Sequence, residues 1–200
     1  MVVVAVAFVA VIAVVQAKKA RVNLEALGGR LGLKLDTQGR YFKKYRLLGE
    51  FRGRPVEVFS YTTGSGRSKR TWAAVAVQVK ATGGLTFSLK RRMTFFEVVA
   101  KLFRKNEAKI GDETFDKKWV LTTNRPDFMC TALLPEMREK ILRLSGGSFA
   151  SGFYKCETYK VQYAEQGSFA TAKVCARFDN LAALVCDLAD VVEVGAELQK

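Results

Sequence analysis

The sequence predicts an α+β fold in which an N-terminal transmembrane helix precedes an antiparallel sheet packed with about four helices. Three observations support this class: an uncharged run at residues 1–17, clusters of segments with alternating apolar residues, and helical periodicity between and after those clusters. The 49% hydrophobic content is ample for a packed core. The predicted domains are an anchor at 1–17, a juxtamembrane helix at 18–36 and a single α+β domain at 37–200.

The N-terminal run MVVVAVAFVAVIAVVQA carries no charge. As a helix it extends about 26 Å, the short limit for crossing a bilayer core. Lys18, Lys19 and Arg21 follow the run and no basic residue precedes it, which by the positive-inside rule places the N-terminus outside. A cleaved signal peptide ending at Ala17 and a buried hydrophobic strand are the alternatives. The expected location is the inner membrane, with one span and the C-terminal domain in the cytoplasm.

Turn signals and apolar alternation predict the first part of the sheet. A short strand at 119–123 follows later and precedes two helices that begin at Pro126 and Pro135. Between these parts a helix is expected from Thr94, because its spacing to Glu97 matches a capping box. The first four strands form an antiparallel meander and lie at 46–51, 55–62, 71–80 and 85–90.

A long hairpin is predicted near the C-terminus, with arms at 153–163 and 169–176, before a final helix capped by Asp179. In that hairpin Cys156 and Cys175 lie on one face, and in one register they are direct neighbours. Since the anchor places the domain in a reducing compartment, both are expected to be free thiols. The four cysteines form no CxxC pair, which argues against a zinc ribbon or a redox motif.

Charge and composition exclude several functions. Histidine is absent, which excludes Ser-His-Asp and Cys-His catalytic groups, HExxH zinc sites and histidine pH switches. The formal net charge is +14, and residues 18–110 hold 22 Lys and Arg against 6 Asp and Glu. Such asymmetry predicts a surface that faces nucleic acid or anionic lipid, and the alternative is a merely solubilising surface.

Two loop motifs were weighed as ligand sites. Residues 64–68 (GSGRS) contain glycines typical of a phosphate-binding loop, but Tyr61 stands where its first glycine belongs and a strand follows. We therefore interpret the motif as a basic hairpin tip. Asp112, Glu113 and Asp116 carry oxygen ligands that suit magnesium or calcium. Asp112 is also well placed to cap a helix, and no metal site is assigned.

Basic residues at 90–92 and 101–109 are interleaved with phenylalanines. Aromatic rings between basic residues can stack on bases, and they equally suit a helix at a membrane interface. The rings more often belong to a core. No pattern for sequence-specific recognition of nucleic acid supports the first interpretation.

Four segments of the chain carry a resemblance: RGRPVEV (52–58), YTTGSGRSKRTW (61–72), IGDETFDKKWVLTTNRPDF (110–128) and LLPEMREKIL (133–142). Together they resemble a set of uncharacterised bacterial membrane-anchored proteins with RGRPV, a GSGxS-type hairpin and a GDxxFD segment. The resemblance covers residues 20–145. It implies a cytoplasmic α+β domain of unknown function and transfers no catalytic residue.

The function expected from the sequence is a membrane-anchored, non-enzymatic binding or scaffold module whose basic half faces the anionic phospholipid surface. No cofactor and no metal are expected. The alternative is a basic domain that binds nucleic acid, and an enzyme of unknown class comes third. The candidate lipid or anion contacts are Lys18, Lys19, Arg21, Arg67, Lys69, Arg70, Lys90, Arg91 and Arg92.

Overall fold

The computed structural model describes residues 2–37, 45–92, 107–144 and 152–199, with the backbone alone for 2–10. The fold is α+β: in the described part of the chain, nine strands form a sheet in the order β1-β2-β3-β4-β9-β8-β5-β7-β6, accompanied by five α-helices. The strands are β1 Lys34–Asp36, β2 Arg46–Phe51, β3 Arg54–Thr63, β4 Arg70–Gln78, β5 Phe87–Arg91, β6 Glu107–Ala108, β7 Trp119–Thr123, β8 Gly152–Glu157 and β9 Lys160–Gln166. The helices are α1 Val2–Leu31, α2 Glu113–Lys118, α3 Pro126–Ala132, α4 Pro135–Leu144 and α5 Ala172–Glu197.

The chain divides into two compact units. Unit 1 comprises Met1–Ala74 and Gln166–Asp179, and unit 2 comprises Val75–Glu165 and Asn180–Lys200. Each is described by itself below.

The predicted transmembrane helix at 1–17 is wrong. Within the residues that the structure describes, none of the helices combines the length and the apolar character that crossing a bilayer requires. The apolar run is shorter than the roughly 20 residues that a spanning helix needs, and α1 continues without a break through Lys18, Lys19 and Arg21. The expected single span in the inner membrane, and with it the membrane location, is wrong for the same reason.

The C-terminal half of α1 belongs to the core of unit 1. Leu24, Leu27 and Leu31 recur at helical spacing and are buried. The helix ends in a Schellman motif, in which Gly32 takes a positive φ of 70° and the Leu33 amide donates to the Gly28 carbonyl at 2.9 Å. Residues 34–36, predicted as the end of a helix, therefore form strand β1.

The sheet edge of unit 1 is built as the alternation predicts. Strand β1 pairs with β2, and β2 pairs antiparallel with β3, with Leu47 opposite Val58 on the buried face. Beyond β4 the predicted meander is wrong, because the strand order places β9 and β8 between β4 and β5. Alternation identifies the residues on each face of a strand but not the strand with which it pairs.

The predicted long hairpin is also wrong. Strand β8 pairs with β9 through a turn at Thr158 and Tyr159, whose φ values of 38° and 60° are typical of a two-residue type I′ turn. The residues predicted as its second arm lie at the start of α5, so Asp179 lies inside that helix. Cys156 therefore lies opposite Val161, and not opposite Cys175 as one register of the predicted hairpin required.

Local signals in unit 2 gave correct elements. Strand β7 at Trp119–Thr123 is confirmed, and Pro126 and Pro135 occupy the first positions of α3 and α4. The helix predicted from Thr94 lies outside the described residues. A row of buried rings crosses this core, with centroid separations of 6.5, 5.8 and 4.6 Å along Phe115, Trp119, Tyr154 and Tyr163.

Candidate anion-binding surface

The nine predicted anion contacts fall into three groups. Lys18, Lys19 and Arg21 lie on α1 of unit 1, and 67–70 contributes three more from the loop between β3 and β4 of the same unit. The third group, at 90–92, lies at the end of β5 in unit 2.

The helix group lies just before the buried part of α1. Lys18 and Lys19 are exposed, while the Arg21 guanidinium donates to Glu25 at 2.8 Å, four residues further on. This hydrogen bond raises the pKa of Arg21 and offsets part of its charge. The two lysines are therefore the stronger positive sites of this group.

The loop group projects its charges from an ordered turn. Residues Gly66–Ser68 form one 3-10 turn, held by the Ser68 hydroxyl and the Ser68 amide, which donate to the Ser65 carbonyl at 2.8 and 3.1 Å. Strand β4 follows directly, as the sequence predicts. Arg67, Lys69 and Arg70 are all exposed. Without a long helix after it, this loop offers no helix dipole for phosphate, and its positive charge is that of its side chains.

Two hydrogen bonds connect the helix group with the loop group. The Asn23 side-chain amide donates to the Phe169 carbonyl at 2.7 Å, and the Gly167 amide donates to the Thr71 carbonyl at 3.0 Å. Residues 167 and 169 are separated by at most about 7 Å of chain. Asn23 lies one helical turn after Lys19, and Thr71 follows Arg70. The backbone segments that carry the two basic groups are thus joined through 167–169 within unit 1. We call the five exposed residues Lys18, Lys19, Arg67, Lys69 and Arg70 the basic end.

Aromatic side chains line the strands that lead to this loop. Phe59, Tyr61 and Thr63 alternate with the buried Val56 and Val58 and so occupy the opposite face of β3. The rings of Tyr61 and Trp72 stack with centroids 6.2 Å apart and an interplanar angle of 10°. The Trp72 indole nitrogen donates to the Thr63 hydroxyl at 2.8 Å.

The third group is divided between an exposed and a structural residue. Lys90 is exposed on β5. The Arg92 guanidinium instead forms a part-buried ion pair with Glu107 and donates to the Asp116 carbonyl at 3.1 Å. It joins β6 to α2 within unit 2, so its charge is already compensated. Arg92 is therefore a poorer candidate for binding an anionic partner than the exposed Lys90.

The acidic segment 112–116 is explained by local structure. Asp112 accepts from the Phe115 amide at 3.0 Å as the N-cap of α2, and its other oxygen pairs with Arg138 at 3.2 Å. Asp116 accepts from the amides of Ile110 and Gly111 at 3.2 and 3.1 Å. Across the described ranges, no three metal-ligating side chains gather closely enough to hold an ion.

Three of the four cysteines are poor nucleophiles. All four are free, and burial raises the pKa of both Cys156 and Cys175 to about 11. Burial also raises the pKa of Cys130. With such a raised pKa these thiols are almost wholly protonated at neutral pH. They react slowly because the thiolate is the reactive form. Position 186 is buried as well.

A recess of about 250 Å³ opens at one end of β5, β7 and β8 in unit 2. Its polar groups bond to one another: Asn124 accepts from the Thr86 amide at 2.9 Å, and the Thr123 hydroxyl donates to the Thr86 carbonyl at 2.9 Å. Ligand pockets usually span about 300–1,000 Å³. The recess is therefore smaller than a usual ligand pocket, and the polar groups of Thr86, Thr123 and Asn124 already hydrogen-bond to one another.

Sequence reasoning found the basic residues of unit 1 but missed what brings them together. Asn23 gave no signal, because a single asparagine in a helix is unremarkable and its partner is a backbone carbonyl 146 residues away. The stacking of Tyr61 on Trp72 had a weak signal, since both lie within a run of basic and polar residues. Neither was identified as part of a site.

The fold and these charges define an α+β protein with a basic end and without a visible catalytic centre among the described residues. No family model and no curated protein matches the chain. The predicted resemblance to uncharacterised bacterial proteins therefore stays a prediction. The chain is similar in fold to the crystal structure of the mycobacterial trehalose monomycolate transport factor A, TtfA, with a TM-score of 0.53 and 12% identity over 88% of this chain and 95% of that one. At this identity the likeness concerns the fold alone.

Proposed function

We propose that the protein is a non-enzymatic binding module that engages an anionic phospholipid surface through the basic end of unit 1. The single observation that carries the proposal is the pair of hydrogen bonds that joins, through the segment 167–169, the helix bearing Lys18 and Lys19 to strand β4, which begins at Arg70 and follows Arg67 and Lys69. Charges that face one surface add, and each Lys or Arg near an anionic leaflet contributes about 1 kcal/mol.

The non-enzymatic part of the proposal rests on the chemistry of the side chains. The chain has no histidine, its buried thiols are protonated at neutral pH, and the acidic cluster at 112–116 is occupied in capping and ion pairing. A general base or nucleophile needs a pKa matched to the working pH. TtfA is by its name a trehalose monomycolate transport factor, which is compatible with a role at a lipid surface. At 12% identity, no functional residue is transferred from TtfA to this chain.

Vesicle co-sedimentation of the full chain tests the proposal. The protein is mixed with vesicles of phosphatidylcholine alone or with added phosphatidylglycerol, at increasing salt. We expect preference for the anionic vesicles and release by salt, because exposed charges are screened beyond about 8–10 Å. The measured quantity is the difference between the two vesicle types, since an exposed apolar stretch (Val11 is 61% exposed) adds binding that ignores charge.

Two triple variants with equal net charge locate the surface. The variant R67Q/K69Q/R70Q removes three charges from the basic end, and K109Q/K118Q/K160Q removes three exposed lysines of unit 2. The first should lose roughly 100-fold in anionic preference, and the second should lose little. Equal losses would contradict a localised surface. Indifference to anionic vesicles together with tight, salt-sensitive binding of DNA or RNA would favour the nucleic-acid alternative.

A further inference from the structure

The exposed face of the hairpin formed by β3 and β4 carries aromatic side chains beside its basic ones. Arg70 and Trp72 are two residues apart on β4 and so share a face, and Trp72 stacks on Tyr61 from β3. Both rings are half-buried, and desolvation raises the pKa of Tyr61. A pair of aromatic rings thus lies directly beside the basic loop.

We propose that this aromatic pair, Tyr61 with Trp72, inserts at the headgroup level of the anionic phospholipid surface while the neighbouring basic side chains bind the phosphates. This inference rests on the proposed function and names the part of the surface that enters the lipid. Trp and Tyr concentrate at lipid–water boundaries, because their rings are apolar and their N–H or O–H groups remain hydrated or bonded.

The geometry suits such an insertion. The indole N–H of Trp72 is already bonded to Thr63, so this donor stays paired when the ring enters a less polar layer. The stack fixes both rings before binding, which reduces the conformational entropy lost on insertion. The charges of Arg67, Lys69 and Arg70 are complementary to lipid phosphates, and this argues for a phospholipid rather than an uncharged apolar partner.

Quenching by brominated lipid tests the insertion directly. The chain has two tryptophans, and Trp119 is 3% exposed in the core of unit 2. Anionic vesicles that contain brominated phosphatidylcholine should quench part of the emission of the full chain. The variant W72F keeps a ring at the hairpin and leaves Trp119 as the sole emitter, so its emission should be unchanged by bromine.

Affinity variants give a second readout. Trp72→Ala should weaken vesicle binding about tenfold, the loss expected for removing part of a large apolar side chain. The matched control is Tyr159→Asn, which removes an exposed ring (60%) from another hairpin turn, at a positive φ that asparagine tolerates, and it should leave binding unchanged. Equal effects of the two substitutions would contradict a specific role for Trp72.

The outcomes separate this inference from the proposed function. Anionic preference that persists without bromine quenching would overturn the insertion and leave the charge-based binding intact. Quenching that is equal in neutral and anionic vesicles would overturn the charge-based binding and leave the insertion intact. If the protein shows no anionic preference and no bromine quenching, both the charge-based binding and the insertion are overturned.

Discussion

Two neighbouring glycines of α1 should respond in opposite ways to alanine. A Cβ atom at Gly28 would lie 2.7 Å from the Leu33 carbonyl oxygen and 3.1 Å from a methyl group of Leu47. A Cβ atom at Gly29 would meet nothing within 4 Å. The Leu33 carbonyl oxygen belongs to the backbone just after the helix. The hydrogen bond from the Leu33 amide to the Gly28 carbonyl restrains this part of the backbone.

The magnitudes follow from two terms. Alanine in place of glycine within a helix adds about 1 kcal/mol to the free energy of unfolding. An extra methyl group in a packed contact costs about 1–3 kcal/mol. Gly29→Ala carries the first term alone and should stabilise unit 1 by about 1 kcal/mol. Gly28→Ala carries both, so it should be about 1–3 kcal/mol less stable than Gly29→Ala, because the helix term cancels between them.

Urea unfolding followed by circular dichroism measures both variants against the unchanged chain. A lower midpoint for Gly28→Ala and a higher one for Gly29→Ala are expected, at equal slope. If the two variants have the same midpoint, α1 does not approach β2 as closely as the structure indicates.

Two further predictions concern residues whose role the sequence left open. Arg92→Gln should lower the free energy of unfolding by roughly 1–3 kcal/mol, because it removes the part-buried ion pair with Glu107 and weakens the bond to the Asp116 carbonyl, whereas Lys90→Gln should change it little; urea midpoints decide between them. The pKa of Cys156 and Cys175 is raised from 9.0 to about 11, so the stability from burying the neutral thiols is fully present below pH 9 and is lost as pH rises through about 11. Alkylation at pH 8, read by mass spectrometry, should therefore be slow at both in the native protein and fast in urea; fast native reaction would contradict their burial.

The elements that the sequence predicted correctly are those with local signals. Strand β7 and the helices after Pro126 and Pro135 each carry their own boundary residues. The start of α5 was predicted as a strand because small apolar residues alternate at 170–176. Over so short a stretch such residues fit the helical period as well as the strand period. The two-residue turn at Thr158 and Tyr159 lacks the Gly or Asn that usually marks it.

The candidate site was predictable in composition but not in arrangement. The sequence located the basic residues, but it does not distinguish Lys90 from Arg92; the structure does so through the bonds of Arg92 to Glu107 and to the Asp116 carbonyl. The contact between Asn23 and Phe169 depends on tertiary packing, which no local pattern encodes. The apolar run at 1–17 led to the prediction of a membrane span because Lys18, Lys19 and Arg21 fit the basic flank of a span, whereas α1 is one helix in which that short run and the charged residues are continuous.

Charge and apolar surface make separable contributions at the basic end. Val11, Ile12, Val14 and Val15 are exposed on α1, and they precede Lys18 within the same helix. Exposed apolar surface of this kind binds lipid, protein or a second chain without regard to salt, while the lysines and arginines act only at short range and weaken as salt rises. Anionic preference and salt sensitivity must therefore come from the charged groups, and whatever binding survives high salt must come from apolar and aromatic side chains. The bonds through 167–169 matter to the proposed function because they join the two backbone segments that carry these charges.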